Sequence, residues 1–211
     1  MSTIVIVGTD TNVGKTVLSS LLMASHEEFL YWKPIQSGTT TETDNEAVKR
    51  YSECTDERIF PENYRLTQPL SPHLSARIDG VHIDERSLIP PALEHLIIET
   101  AGGVLVPINE NTLQIDILAM WAKPVIIASR TALGTINHTL LTIEALRKRS
   151  IPILGCVMIG SINDDVERSV THYGSIEILG RIPPLEVITA DSLRRVYREH
   201  FSRFDSVLPL A

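Results

Sequence analysis

The segment Gly8-Thr9-Asp10-Thr11-Asn12-Val13-Gly14-Lys15-Thr16 follows directly on the apolar run Thr3-Ile4-Val5-Ile6-Val7 and leads into the helix-forming stretch from Thr16 to Ala24. A buried strand, a loop ending in Gly-Lys-Thr, and then a helix is the architecture of a phosphate-binding loop. In such a loop consecutive backbone N–H groups wrap the phosphates, and the helix N-terminus adds partial positive charge. Lys15 is expected to reach the terminal phosphates and the Thr16 hydroxyl to ligate magnesium. Five residues separate Gly8 from Gly14, against the common four, and Thr9 stands where glycine is usual.

The rest of the chain repeats the alternation that this segment begins. Strand candidates are Thr3–Val7, Leu30–Lys33, Leu96–Glu99, Val125–Ser129, Ile153–Ile159 and Ile176–Leu179; most are continuous apolar runs, as in parallel strands covered on both faces. Val104–Pro107 adds a short extended piece. Helical patterns cover Lys15–His26, Asp44–Cys54, Thr112–Trp121, Ile136–Arg149, Asp164–Tyr173 and Asp191–Phe201, with Asp44 and Asp191 read as N-caps. Regular alternation predicts an α/β fold: a single doubly wound parallel sheet of P-loop NTPase type with helices on both faces, one domain over residues 1–211. The segment Phe60–Ile83, rich in Pro, Ser and Thr, reads as a long loop over one edge of the sheet.

Composition narrows the partners. A formal charge of −7, from 19 Lys+Arg against 26 Asp+Glu, gives no counterion-release advantage on nucleic acid and argues against DNA or RNA. Cys54 and Cys156 lie far apart in no metal or redox spacing, which suits a reducing compartment. The chain opens on a strand pattern rather than a basic leader, and no apolar run approaches the ~20 residues that span a bilayer. A cytoplasmic protein without membrane partners is expected.

In an open α/β sheet the ligand lies outside the carboxyl ends of the strands. There stands Lys33, one residue before Pro34, where a buried ammonium needs an anionic partner such as phosphate or carboxylate. The next candidate is Glu99, closing the run Leu96-Ile97-Ile98, with Thr100, Ala101, Gly102 and Gly103 behind it. Asp44 is a second acid at a helix start. Thr16, Asp44 and Glu99 offer the hard oxygen ligands that magnesium requires. After the Val125 strand, the helix start at Thr135 and Asn137 presents N–H groups suited to a carboxylate. His73, His82, His95 and His172 share no metal spacing and read as structural.

Taken together, these segments resemble the dethiobiotin synthetase family over most of the chain. The resemblance is carried by Gly8 to Thr16, by Lys33-Pro34-Ile35-Gln36-Ser37-Gly38, by Ser71-Pro72-His73, by Glu99-Thr100-Ala101-Gly102-Gly103, and by Leu133-Gly134-Thr135-Ile136-Asn137-His138. It implies a homodimer, a seven-stranded parallel sheet, and closure of a ureido ring from 7,8-diaminopelargonic acid, carbon dioxide and ATP with Mg2+. It implies Lys33 and Lys15 as catalytic residues and Thr16, Asp44 and Glu99 as the metal shell. It implies ATP contacts from Asn12, Val13, Gly14, Lys15, Thr16, Val17, Asp44, Glu99, Thr100, Ala101 and Gly102, with Pro183, Pro184 and Leu185 along the base. Substrate contacts fall to Thr11, Lys33 and Ser37, and to Gly134, Thr135 and Asn137 reaching the substrate's carboxylate tail from the other subunit.

Two positions depart from the family. Asn12 stands where an acid is frequent, and Gly160-Ser161-Ile162 intervene before Asn163-Asp164, where many members carry Asn-Asp directly after the strand. Another class to weigh is the deviant-loop ATPase switch that positions cell components. Its additional early-loop lysine is replaced here by Thr9-Asp10. A small-molecule kinase would need arginines in a lid, for which only Arg65 and Arg77 are available.

Overall fold

The computed structural model describes residues 3–207. The chain runs β1 (Thr3–Gly8), α1 (Lys15–Ser25), β2 (Leu30–Trp32), β3 (Ile35–Ser37), α2 (Asp44–Ser52), β4 (Ile59–Phe60), β5 (Tyr64–Leu66) and α3 (Pro72–Asp79). It continues with β6 (Leu96–Gly103), α4 (Gln114–Trp121), β7 (Val125–Arg130), α5 (Thr135–Lys148), β8 (Ile153–Ile159), α6 (Asp164–Gly174), β9 (Ile178–Ile182), α7 (Ala190–His200) and α8 (Phe204–Val207).

Seven strands form one sheet in the order β4-β2-β6-β1-β7-β8-β9, with every pairing parallel. The central strand β1 is buried along its whole length, as its unbroken apolar run requires. Two apolar clusters cover the two faces. One contains Ile4, Ile6, Leu18, Leu22, Tyr31 and Phe201. The other contains Val5, Val7, Ile98, Ile127, Leu118 and Leu146. Residues alternate along β1 between the two clusters, so a single strand feeds both cores. Among the described residues no helix is long and apolar enough to cross a membrane.

Most expected elements stand, with corrections at two helix caps, at Phe60–Ile83, at Val104–Pro107 and at the last strand, β9, which runs Ile178–Ile182 rather than Ile176–Leu179. The caps of α2 and α7 are Thr43 and Thr189, each in a capping box with Glu46 and Ser192, rather than Asp44 and Asp191. The cap one residue earlier leaves the Asp44 side chain free for other partners. The segment Phe60–Ile83 is not a plain loop. It carries the end of β4, then β5, which pairs in parallel with β3 as a separate two-stranded sheet, then α3 with Pro72 in its first turn and Gly80 at its end. Val104–Pro107 forms no strand; Pro107 makes only an isolated bridge to Leu113.

Candidate active site

The loop between β1 and α1 turns tightly at two glycines. Gly14 caps α1 with φ 102°, in the left-handed region that disfavours side chains. A Cβ on Gly8 would stand 2.7 Å from the Asp10 carbonyl oxygen and 2.8 Å from Lys15 Nζ, so the loop can fold over this strand end only with glycine there. Lys15 curls back, and its Nζ donates to the Asp10 carbonyl at 3.2 Å. Asp10 is tied across the loop to Arg130 at the end of β7, 2.8 Å away. Thr11 and Asn12 are exposed, Val13 is buried, and Val17 lies half-buried on the first turn of α1.

Four charged side chains and one hydroxyl converge beside this loop. Thr16 Oγ1 lies 2.8 Å from Asp44 Oδ1 and 2.9 Å from Glu99 Oε1; its single proton serves one of them at a time. Lys33, just past β2, reaches between the two acids: Nζ donates to Glu99 Oε1 at 3.2 Å and pairs with Asp44. Pro34 turns the chain out of the sheet after Lys33, which sets this side chain at the mouth of the site while only 6% of it is exposed. Glu99 is 1% exposed and has four hydrogen-bond donors within reach. Its Oε2 takes Ser19 Oγ at 2.6 Å and Tyr31 OH at 3.0 Å.

The electrostatics follow from burial and crowding. Burial, then the neighbouring Lys33 charge, pull Lys15 from the ordinary 10.5 down to about 8, against the opposing pull of Glu99, Asp44 and Asp10. Burial also works against the Lys33 ammonium, but Glu99 and Asp44 outweigh it and hold Lys33 above its usual value. For Asp44, burial is likewise outweighed by Lys33 and Thr16, and its carboxyl is held low. Burial and the Glu99 charge push the Tyr31 phenol well above its ordinary range, so it remains a proton donor.

The donor set fits magnesium. Two carboxylates and a hydroxyl supply oxygen only, and they meet on one side of Thr16, next to the loop. Among the described residues no three of His, Cys, Asp and Glu cluster as a metal site.

The other expected residues fall around this centre. Ser37 lies at the end of β3 with its hydroxyl buried and without a hydrogen-bond partner. Thr100 donates to the Ile6 carbonyl at 3.1 Å, fastening β6 to β1, and Gly102 takes φ 65° where β6 turns past the loop. Gly134 and Asn137 are exposed at the start of α5, but Thr135 is turned inward. Its hydroxyl bonds Ser129 at 2.7 Å and its N–H bonds the Ala132 carbonyl at 3.1 Å. Pro184 lines a groove of about 400 Å³ with Arg130, Thr131, Gly160 and Asn163 beyond the ends of β7 and β8. Pro183 and Leu185 are half-buried beside it. The Asn163 side-chain oxygen is committed to capping α6, accepting from Val166 N at 3.1 Å.

Sequence reading missed three supporting residues, Ser19, Tyr31 and Gln36. Gln36 Oε1 accepts from Asp44 N at 3.1 Å and so anchors the start of α2 to β3. Ser19 stands three residues after Thr16, one turn along the same helix face. Tyr31 has the same strand parity as Lys33. Both spacings are legible once the site's position is known.

A central parallel strand ending in a Gly-Lys-Thr loop, with one acid on the neighbouring strand β6 and a second at the start of α2, defines a P-loop NTPase. A family model described as an AAA domain matches residues 2–192. The ATP-dependent dethiobiotin synthetase BioD of Rhodopseudomonas palustris (strain HaA2) is 49% identical over 203 residues, 96% of this chain and 95% of that protein. The protein of the same name from Agrobacterium fabrum (strain C58) is 49% identical over 202 residues, 95% of each chain. The chain belongs to the ATP-dependent dethiobiotin synthetase family, a family of ligases. Among solved structures, a ParA family ATPase from Chlorobium tepidum aligns over 98% of this chain and 96% of its own, with TM-score 0.56 and 10% identity. That likeness is one of fold.

Proposed function

We propose that this chain, acting as one domain over residues 1–211, closes a ureido ring on 7,8-diaminopelargonic acid using carbon dioxide and ATP. The products are dethiobiotin, ADP and phosphate. The carrying observation is the pair of buried lysines, Lys15 and Lys33, set with Asp44, Glu99 and Thr16 at one end of β1, β2 and β6. In this reading one substrate amine adds carbon dioxide to give a carbamate. A carbamate oxygen attacks the γ-phosphorus, ADP leaves, and a carbamic-phosphoric anhydride forms. The second amine then attacks the carbamoyl carbon and expels phosphate, closing the ring.

The protein's contribution is positioning and charge neutralisation. Carbamate and triphosphate repel each other. Lys15, folded back over its loop, holds the β- and γ-phosphates, and Lys33 bridges from the strand end toward the carbamate. Thr16, Asp44 and Glu99 would hold magnesium, which would supply Lewis-acid stabilisation of the phosphate charge. Thr11 and the unpartnered Ser37 hydroxyl are free to bind the diamine. The groove lined by Pro184 takes the nucleotide base. Leu133, fully exposed next to Gly134, and Leu141, 56% exposed on α5, are apolar side chains that a second copy of the chain would cover. A homodimer built there brings Gly134, Thr135 and Asn137 to the partner's substrate.

Phosphate release from Mg·ATP tests this function. It should require both the diamine and bicarbonate, with dethiobiotin formed one for one. ATP turnover of equal rate without the diamine would overturn the synthetase reading in favour of a switch ATPase.

A further inference from the structure

Glu99 is held by its two oxygens in different ways. Oε1 faces the site and meets Thr16 and Lys33. Oε2 faces the protein and meets two neutral hydroxyls: Tyr31 from β2, and Ser19 from α1, whose one proton favours Oε2 at 2.6 Å over the Lys15 carbonyl at 3.1 Å. Tyr31 is fully buried and pairs in register with Ile97, two residues before Glu99 on the adjacent parallel strand. Its ring packs in the apolar cluster with Ile6 and Ile97, so its hydroxyl is delivered to one fixed height on the sheet. A carboxylate on a flexible stem can rotate about its last bond. Two donors on one oxygen, from a helix and a strand that do not move independently, remove that freedom.

We infer that Tyr31, supported by Ser19, is a positioning residue that fixes the rotation of the Glu99 carboxylate and keeps Oε1 turned to the phosphate side. This rests on the reading above that Glu99 serves the magnesium and triphosphate. Tyr31 touches neither substrate nor nucleotide; it acts through Glu99. Its value to the enzyme is therefore in the coupling between metal and nucleotide, not in nucleotide affinity as such.

The test is ADP binding by titration calorimetry on the full chain, once with Mg2+ and once with EDTA, for Tyr31→Phe, Ser19→Ala, the double variant and Glu99→Gln. Tyr31→Phe keeps the ring and its packing. It should lose about tenfold of the Mg2+-dependent gain in ADP affinity and leave the EDTA affinity unchanged. kcat should fall while the KM for the diamine stays put, and the double variant should approach Glu99→Gln. If Tyr31→Phe and the double variant bind as wild type with Mg2+ while Glu99→Gln does not, the positioning role is wrong and the role of Glu99 stands. Equal losses with Mg2+ and with EDTA make Tyr31 merely structural, which also overturns the proposal. Should Glu99→Gln keep the full Mg2+ gain, the reading of Glu99 itself fails and takes the proposal with it. Where Tyr31→Phe does not fold, Ser19→Ala decides: a selective Mg2+-linked loss upholds the proposal, and none refutes it.

Discussion

Nucleotide binding should take up a proton through Lys15, and the amount can be worked from its surroundings. In the free protein Lys15 is held at about 8, by burial first and by Lys33 second. A polyphosphate in the loop reverses this balance, because it brings several negative charges within reach of the ammonium. Bound Lys15 then stays charged throughout the accessible range. At pH 8 half of the free protein is deprotonated, so binding should take up about 0.5 proton. By the same relation uptake should be about 0.1 at pH 7 and about 0.9 at pH 9. Above pH 8, ADP affinity should fall by up to about tenfold per pH unit.

Lys33 adds nothing in this window, because its pKa is raised. At pH 8 and above the nucleotide phosphates have finished ionising, with a last pKa of ~6 for phosphate esters, so the proton count there belongs to Lys15. The assay is calorimetric titration with Mg·ADP at pH 7, 8 and 9 in Hepes and in Tris, whose ionisation enthalpies differ. The slope of apparent enthalpy against ionisation enthalpy counts protons. Lys15→Gln should abolish the slope. Buffer-independent enthalpies at pH 8 and 9, or proton release, would refute the reasoning. The same group bears on stability. Through Lys15 the unfolded chain binds more protons than the folded one above pH 8, which favours folding as pH rises; from about pH 9 the buried Cys156 thiol, pushed up to about 12, opposes this, so a net gain in stability is expected only between about pH 8 and 9.

Lys33→Ala should lower turnover by ~10²–10³ at saturating diamine, since a preorganised charge acts most on the transition state. It should also lower the unfolding free energy by about 3 kcal/mol, because Asp44 and the buried Glu99 lose their shared cation; near-normal turnover would make Lys33 structural. Thr43→Ala removes the cap that sets Asp44 at the first turn of α2, and chemical denaturation should show a loss of ~1 kcal/mol. Mixing inactive Lys15→Ala and inactive Asn137→Ala subunits should restore activity if the sites are shared; no recovery after verified subunit exchange would exclude sharing.

What was legible in the chain was contiguous. The apolar run of β1 and the Gly14-Lys15-Thr16 turn lie side by side, and local pattern alone identifies both. The last strand was misplaced, as Ile176–Leu179 instead of Ile178–Ile182, because Gly180 and Arg181 interrupt its apolar run. Gly180 is small for a reason outside its own segment: a Cβ there would stand 2.6 Å from the Phe201 ring. Arg181 is tolerated because it pairs with Glu167 on α6. The short strands β3 and β5 escaped notice because three residues carry too little periodicity. Of the site, charged residues at strand ends were readable, since burial of a charge demands a partner. The hydroxyls of Ser19 and Tyr31 were not, because neither residue type is out of place in a core.

The position of β1 in the sheet also has a consequence for how the protein is made. This first strand lies between β6 and β7, whose chains begin only at Leu96 and Val125. At ribosomal rates of ~5–20 residues per second, β1 waits on the order of ten seconds for both neighbours to be synthesised. Until β6 is made, one of the most apolar segments of the protein has neither of its hydrogen-bonding partners, and until β7 follows it has only one. Synthesis at high temperature or under strong overexpression should therefore expose a sticky N-terminal segment to other chains. Yield should respond to slower translation or added chaperone more than to any change that stabilises the finished fold.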